Sequence, residues 1–317
     1  MEPYKVRQIG HAPRIEVTVP GSKSITNRAL LMAAMAQGET VLEGVLFSDD
    51  SRVFLKALQE LGFAVDIDET NCQVRIKGMG GKIPRKEAEI YVGSAGTAAS
   101  LLTAFTAMSD GCYRLEASEQ MTTRPMKELL DTLRALGVRI RFLAQEDTFP
   151  MEICGIARGQ SEGRSFEKVQ TVSLNIDRSS QFLSALLMTA PLQLHQLTIR
   201  LTGSRSARSY VEMTKQMMCQ FGHPGVQMLQ EDVYRVCAQA YEAGTYCVEP
   251  DVSAACYFYA MAAITGGTAQ VDHMKKDSLQ GDMRFLALLE QMGCRLTWDR
   301  GECLLTGAKP GQLKGID

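Results

Sequence analysis

Near the start of the chain, Ile15, Val17 and Val19 alternate with polar residues, the period-two pattern of a half-buried strand. Pro20-Gly21 ends that pattern. Ser22, Ser24 and Thr26 can each cap a helix start, and the apolar run from Ala29 to Ala36 predicts a deeply buried helix. Further along, an amphipathic helix passes through Leu-Gly, Phe-Gly or Met-Gly into a strand at 55–65, 129–140, 213–226 and 286–296. The glycines of these four passages are Gly62, Gly137, Gly222 and Gly293, each predicted to close its helix with φ > 0. A second marker precedes them: a buried, alanine-rich helix ends in a small turn before a strand, at 37–41, 109–113 and 265–269, and more weakly at 190–194. Alternating helix and strand predicts an α/β fold, built on a strand–helix–strand–helix–strand–strand unit too long for a solenoid.

The 317 residues, 45% hydrophobic and 22% charged, suit one large or two medium domains. A formal net charge of −2 creates no bulk field for nucleic acid, so any anion site must come from local cations. No apolar run reaches membrane-spanning length, and Met-Glu-Pro-Tyr-Lys-Val-Arg has no signal-peptide core; a cytoplasmic location is expected. The nine cysteines are scattered without paired spacing, which predicts reduced thiols packed mostly as small hydrophobes. His11, His195, His223 and His273 show no metal-ligand spacing, so they are read as surface or locally satisfied residues, and no metal is expected.

Lys23 and Arg28 lie at the positive end of the first helix, beside unpaired N–H groups and three hydroxyls. That setting favours a phosphate or a carboxylate. The stretch Pro-Gly-Ser-Lys-Ser-Ile-Thr-Asn-Arg-Ala-Leu-Leu-Met-Ala-Ala (20–34) resembles the N-terminal signature of EPSP synthases (3-phosphoshikimate 1-carboxyvinyltransferases). It is not a P-loop, because G-x-x-x-x-G-K-[ST] is absent. The resemblance implies transfer of the enolpyruvyl group of phosphoenolpyruvate to the 5-hydroxyl of shikimate 3-phosphate, a step of aromatic amino-acid biosynthesis. It implies no cofactor, and no partner beyond the two small-molecule substrates.

The resemblance also implies residue roles. Lys23, Ser24 and Arg28, with Ser179, Ser180 and Gln181 of the segment 177–188, would hold shikimate 3-phosphate. Lys23, Gly96, Arg124 and Gln181 would hold phosphoenolpyruvate, Gly96 in the glycine-rich loop 91–100 and Arg124 in the Arg-Pro-Met loop 118–126. Ser94, Thr97, Ser206 and Tyr210 are weaker candidates. Ser94 stands where family members commonly have asparagine, Ser100 where they have arginine, and Ala207 where they have serine. Arg178 is an added cation of open role. Asp251 and Ser253 are read chiefly as structural.

In architecture, the resemblance implies repeated βαβαββ units: one complete three-unit lobe at 21–248, and part of a second lobe formed by 1–20 and 249–317. The family's acid–base residues would then lie past Asp317. The chain as given is therefore expected to be C-terminally incomplete, to turn over little, and to self-associate through the incomplete lobe. Two other readings stand beside this one. A UDP-N-acetylglucosamine enolpyruvyl transferase shares the architecture, but its loop cysteine is missing from 118–125. A non-catalytic anion-binding or assembly protein on the same fold is the other.

Overall fold

The computed structural model describes residues 11–157, 168–203, 208–299 and 302–316. Ser206 and Ala207 lie outside them. The described residues fall into two compact units, one within Lys23–Val248, the other drawn from Met1–Ser22 and Glu249–Asp317.

Every sheet has four strands in one arrangement: a parallel pair at one edge, then two antiparallel steps. In the second unit β1 (Arg14–Val17) lies parallel to β14 (Thr268–Val271), followed by β16 (Glu302–Thr306) and β15 (Arg295–Asp299). In the first unit β13 (Thr245–Cys247) lies parallel to β2 (Gln37–Glu43), followed by β4 (Gln73–Met79) and β3 (Ala64–Asp68). The next sheet runs β5 (Glu87–Tyr91), β6 (Cys112–Glu116), β8 (Met151–Cys154), β7 (Arg139–Phe142). The last runs β9 (Val169–Asn175), β10 (Gln196–Thr202), β12 (Val233–Cys237), β11 (Gln227–Gln230). β1 pairs with β14 and β13 with β2, so each unit pairs two strands that are distant in sequence. The strand expected around Ile15 ends at Val17; Val19 lies beyond it and is buried.

The four predicted glycine caps have φ of +95° at Gly62, +99° at Gly137, +78° at Gly222 and +104° at Gly293. Each ends a helix and turns the chain back into the edge strand of a sheet, β3, β7, β11 or β15. A side chain there would be strained by its Cβ.

Two kinds of helix alternate. Those at Asp49–Glu60, Lys127–Ala135, Arg208–Gln220 and Met283–Gln291 are amphipathic. Those at Lys23–Met35, Gly96–Ala107, Gln181–Thr189 and Val252–Thr265 are mainly apolar. The first three apolar helices are almost wholly buried, as helices without a polar face must be. The fourth packs Val252, Ala255, Tyr259 and Ala262 into the core of its unit. It leaves Tyr257 77%, Ile264 68% and Met261 40% exposed.

The return of the chain at 249–252 is tied down by buried polar groups. Glu249 accepts from the Ser278 hydroxyl at 2.6 Å and the Leu279 N–H at 3.2 Å. The Gln280 amide donates to the Pro250 carbonyl at 2.7 Å and accepts from the Val252 N–H at 3.0 Å. Asp251 caps the helix through the Ala254 N–H at 3.0 Å, and Ser253 hydrogen bonds to Asp282. Asp251 and Ser253 thus act within the fold.

The cysteines depart from expectation. Cys112 and Cys154 face each other across β6 and β8 and form a disulfide. Their separation of 42 residues hides this pairing in the sequence. Of the free cysteines, Cys72, Cys219 and Cys247 are exposed and only Cys294 and Cys303 are buried. His223 is locally satisfied: Nδ1 accepts from the Gly225 N–H at 2.9 Å and Nε2 faces the Cys237 carbonyl at 3.0 Å. Burial, opposed by the Cys237 carbonyl, lowers its pKa below the usual histidine value.

Candidate anion site at the inner helix starts

The three buried helices of the Lys23–Val248 unit bring their first turns together. The Gln181 amide donates to the Thr97 hydroxyl at 2.7 Å, linking the starts of the 181–189 and 96–107 helices. Arg28 reaches the Ser184 hydroxyl at 3.3 Å, linking the 23–35 and 181–189 helices. A Cβ placed on Gly96 would lie 3.3 Å from Gln181 Oε1 and 3.4 Å from an Arg124 terminal nitrogen. Glycine at 96 therefore lets the amide and the guanidinium meet over one backbone.

These helix starts differ from that of the 49–60 helix. The 49–60 helix begins with a Ser48 capping box and two acids, Asp49 and Asp50, the usual way of satisfying free N–H groups and the positive dipole end. The 23–35, 96–107 and 181–189 helices carry no acid in the first turn. The latter two also lack a side-chain cap hydrogen bond. Three positive helix ends without their own anions are a ready seat for anionic groups from outside.

Arg28 is the most unusual member. It is 1% exposed. Its guanidinium contacts the Thr214 hydroxyl at 2.9 Å, the Ser24 carbonyl at 2.9 Å and the Ser184 hydroxyl. Its central carbon lies 5.9 Å from the centre of the Tyr210 ring. Among the described residues no carboxylate pairs with it. Burial lowers its pKa to about 10, so it remains charged at neutral pH. A buried cation held only by neutral groups is costly, and an anionic ligand would offset that cost.

The other predicted residues take distinct places. Lys23, half-exposed, forms an ion pair with Asp50. Ser24 lends its carbonyl to Arg28. Thr97 is the acceptor that orients Gln181. Ser179 accepts the Gln181 N–H at 3.2 Å, and Ser180 directly precedes the helix without capping it. Arg124 is exposed, in the turn after the short Glu119–Thr122 helix, with buried Met126 anchoring the chain beyond it. Ser94 is exposed in its loop. Ser100 is buried and donates to the Gly96 carbonyl at 2.7 Å, so its hydroxyl is engaged within its own helix. Tyr210 is 44% exposed and lies against Arg28.

Sequence reasoning missed four members. Ser184 and Thr214 are the hydroxyl partners of Arg28; they stand three and four residues beyond Gln181 and Tyr210, on the same helical faces. That spacing was the available signal. Asp50 and Glu128, the partners of Lys23 and Arg178, meet them only through tertiary contact.

Among the described residues no cluster of His, Cys, Asp and Glu could hold a metal ion, and no helix is long and apolar enough to cross a membrane. What the site offers is cations, hydroxyls, an amide and helix N-termini.

Residues 8–317 match the family described as EPSP synthase (3-phosphoshikimate 1-carboxyvinyltransferase). A 3-phosphoshikimate 1-carboxyvinyltransferase of Trichormus variabilis is 42% identical over 301 residues, covering 95% of this chain and 68% of the relative. One from Nostoc punctiforme is 38% identical over 317 residues, 100% of this chain and 72% of the relative. In the solved EPSP synthase of Acinetobacter baumannii the same fold recurs, with a TM-score of 0.77 at 24% identity over 97% of this chain and 67% of that one. A match running from residue 8 to residue 317, together with relatives at this level of identity, establishes that the chain belongs to the EPSP synthase family.

Proposed function

We propose that the chain serves the shikimate pathway by binding shikimate 3-phosphate and phosphoenolpyruvate where the three inner helices begin. The observation that carries this reading is Arg28, buried and charged without an acidic partner among the described residues. Arg28, Ser24 and Lys23 would take the shikimate 3-phosphate carboxylate side, and Ser179, Ser180 and the 181–189 helix start its phosphate. Lys23, Gln181, Gly96 and Arg124 would take phosphoenolpyruvate. In the transfer, the methylene carbon of phosphoenolpyruvate gains a proton, the substrate hydroxyl adds to the resulting cationic carbon and gives up its own proton, and phosphate leaves the tetrahedral intermediate as the new methyl group loses a proton to restore the carbon–carbon double bond. Charge on phosphate and carboxylate is stabilised by the fixed cations and N–H groups. Residues 21–248 are read as the complete three-unit lobe, residues 1–20 and 249–317 as part of a second, and the cytoplasm as the setting.

Isothermal calorimetry tests the binding claim. Shikimate 3-phosphate should bind with an affinity that falls with salt. Ser179→Ala/Ser180→Ala should weaken it on the order of 100-fold, as expected for two lost hydrogen bonds to a charged group. Undiminished binding in that double variant removes the placement.

Turnover by the 317 residues is expected to be low. The convergent helix starts contribute cations and neutral donors, and the nearby carboxylates Asp50 and Glu128 are engaged by Lys23 and Arg178. The chemistry also needs an acid for carbon and a base for the hydroxyl. Phosphate release from both substrates at a rate typical of biosynthetic enzymes would contradict this. Negligible release with intact binding would favour an anion-binding role on the same fold. Self-association is proposed through the Tyr257, Met261 and Ile264 face of the 252–265 helix; a strictly monomeric sedimentation profile at micromolar concentration argues against it.

A further inference from the structure

The Lys127–Ala135 helix and β9 lie alongside each other in a fixed register. The Gln170 amide donates to the Leu136 carbonyl at 3.4 Å, and the Thr132 hydroxyl, which donates to the Glu128 carbonyl of its own helix at 2.8 Å, lies 3.4 Å from the Ser173 carbonyl. At the end of this series, Arg178 Nε lies 3.4 Å from Glu128 Oε1. Arg178 immediately precedes Ser179-Ser180-Gln181, and Glu128 stands four residues after Arg124. The ion pair therefore joins the two loops assigned above to different substrates. Glu128 is the more buried partner, its side chain 21% exposed against 62% for Arg178, and its Oε2 is buried with no hydrogen-bond partner. A carboxylate so placed is compensated by Arg178 and by the first turn of its own helix, in which it stands.

We propose that Arg178 is a positioning residue, whose pairing with Glu128 holds the Ser179-Ser180-Gln181 turn in register with the Arg124 turn. The arginine acts through Glu128 rather than on the ligand. The inference rests on the reading of Ser179 and Ser180 as the phosphate seat, and its test separates the two.

The test compares Arg178→Met, Glu128→Gln, the double variant and Arg178→Lys in the full 317-residue chain. Shikimate 3-phosphate should bind three- to tenfold more weakly to each of the first two variants. The double variant should be no weaker than either single, because both remove one contact. Arg178→Lys should keep most of the affinity. Hydrogen exchange without ligand should be faster at 178–182 in Arg178→Met and Glu128→Gln. Two results overturn the proposal: Glu128→Gln binding as tightly as the parent or tighter, which places Arg178 directly on the ligand, or additive losses in the double variant. If the parent chain does not bind shikimate 3-phosphate, the functional reading fails by itself. The exchange measurement then still decides the contact, and unchanged exchange removes it.

Discussion

Arg28→Met should lose shikimate 3-phosphate binding by on the order of 100-fold or more, yet melt no lower than the parent chain. Both halves follow from one arrangement. The guanidinium is buried, its pKa is lowered to about 10 by that burial, and it is met by hydroxyls, a carbonyl and an aromatic ring. Removing a lone buried charge and filling its volume with an apolar side chain is often neutral or stabilising. Thr214 and Ser184 are within hydrogen-bond distance of each other at 2.9 Å, so they remain partnered without Arg28. Removing the charged partner of a bound anion costs about 2–5 kcal/mol. Calorimetry and thermal unfolding of the same preparation check the two halves together. Arg28→Lys, which keeps the charge without the planar fork, should bind at an intermediate level. Retained affinity in Arg28→Met would remove Arg28 from the site. A large drop in melting temperature in both variants would make it a structural residue instead.

Arg124→Ala should weaken phosphoenolpyruvate binding by roughly 30- to 150-fold, about 2–3 kcal/mol for a lost charge-assisted contact. Shikimate 3-phosphate affinity should change less than about threefold. The selectivity arises from position. An Arg124 terminal nitrogen and Gln181 Oε1 both flank the place a Cβ on Gly96 would fill, whereas Arg28 lies against Ser184, Thr214 and Tyr210. Arg124 is exposed, while Met126 two residues on is buried. Truncating Arg124 should therefore leave the loop anchored and the melting temperature unchanged. Competition binding with each substrate in turn measures the split. Equal weakening of both would contradict the assignment.

Much of the fold is readable in the sequence. The four glycine caps announce themselves because left-handed backbone at a helix end selects glycine almost irrespective of distant packing. The buried helices are visible as apolar runs because a helix with no polar face has nowhere to go but a core. The cations of the candidate site were also visible as candidates, since Lys23, Arg28 and Arg124 sit in long motifs beside helix starts.

Other features depended on contacts between distant residues. No local pattern separates β1 pairing with β14 from β1 pairing with β2, since parallel partners are chosen by how helices cross and pack. The cysteine pair shows the same limit: 42 residues apart in sequence, Cys112 and Cys154 oppose each other only once β8 settles against β6. The expectation of unpaired thiols fails there for that reason.

The sequence by itself determined the α/β class, the repeated helix–glycine–strand passage, the buried helices, and the family through its motifs. Only the tertiary structure decided that three helix starts meet, that Arg28 is met by Thr214 and Ser184 rather than by an acid, and that Glu128 and Asp50 belong beside the site. Helix formation and capping are set by residues within a few positions of one another. Charge compensation is set by whatever the packed chain brings within a few ångströms, and sequence distance carries almost no information about that.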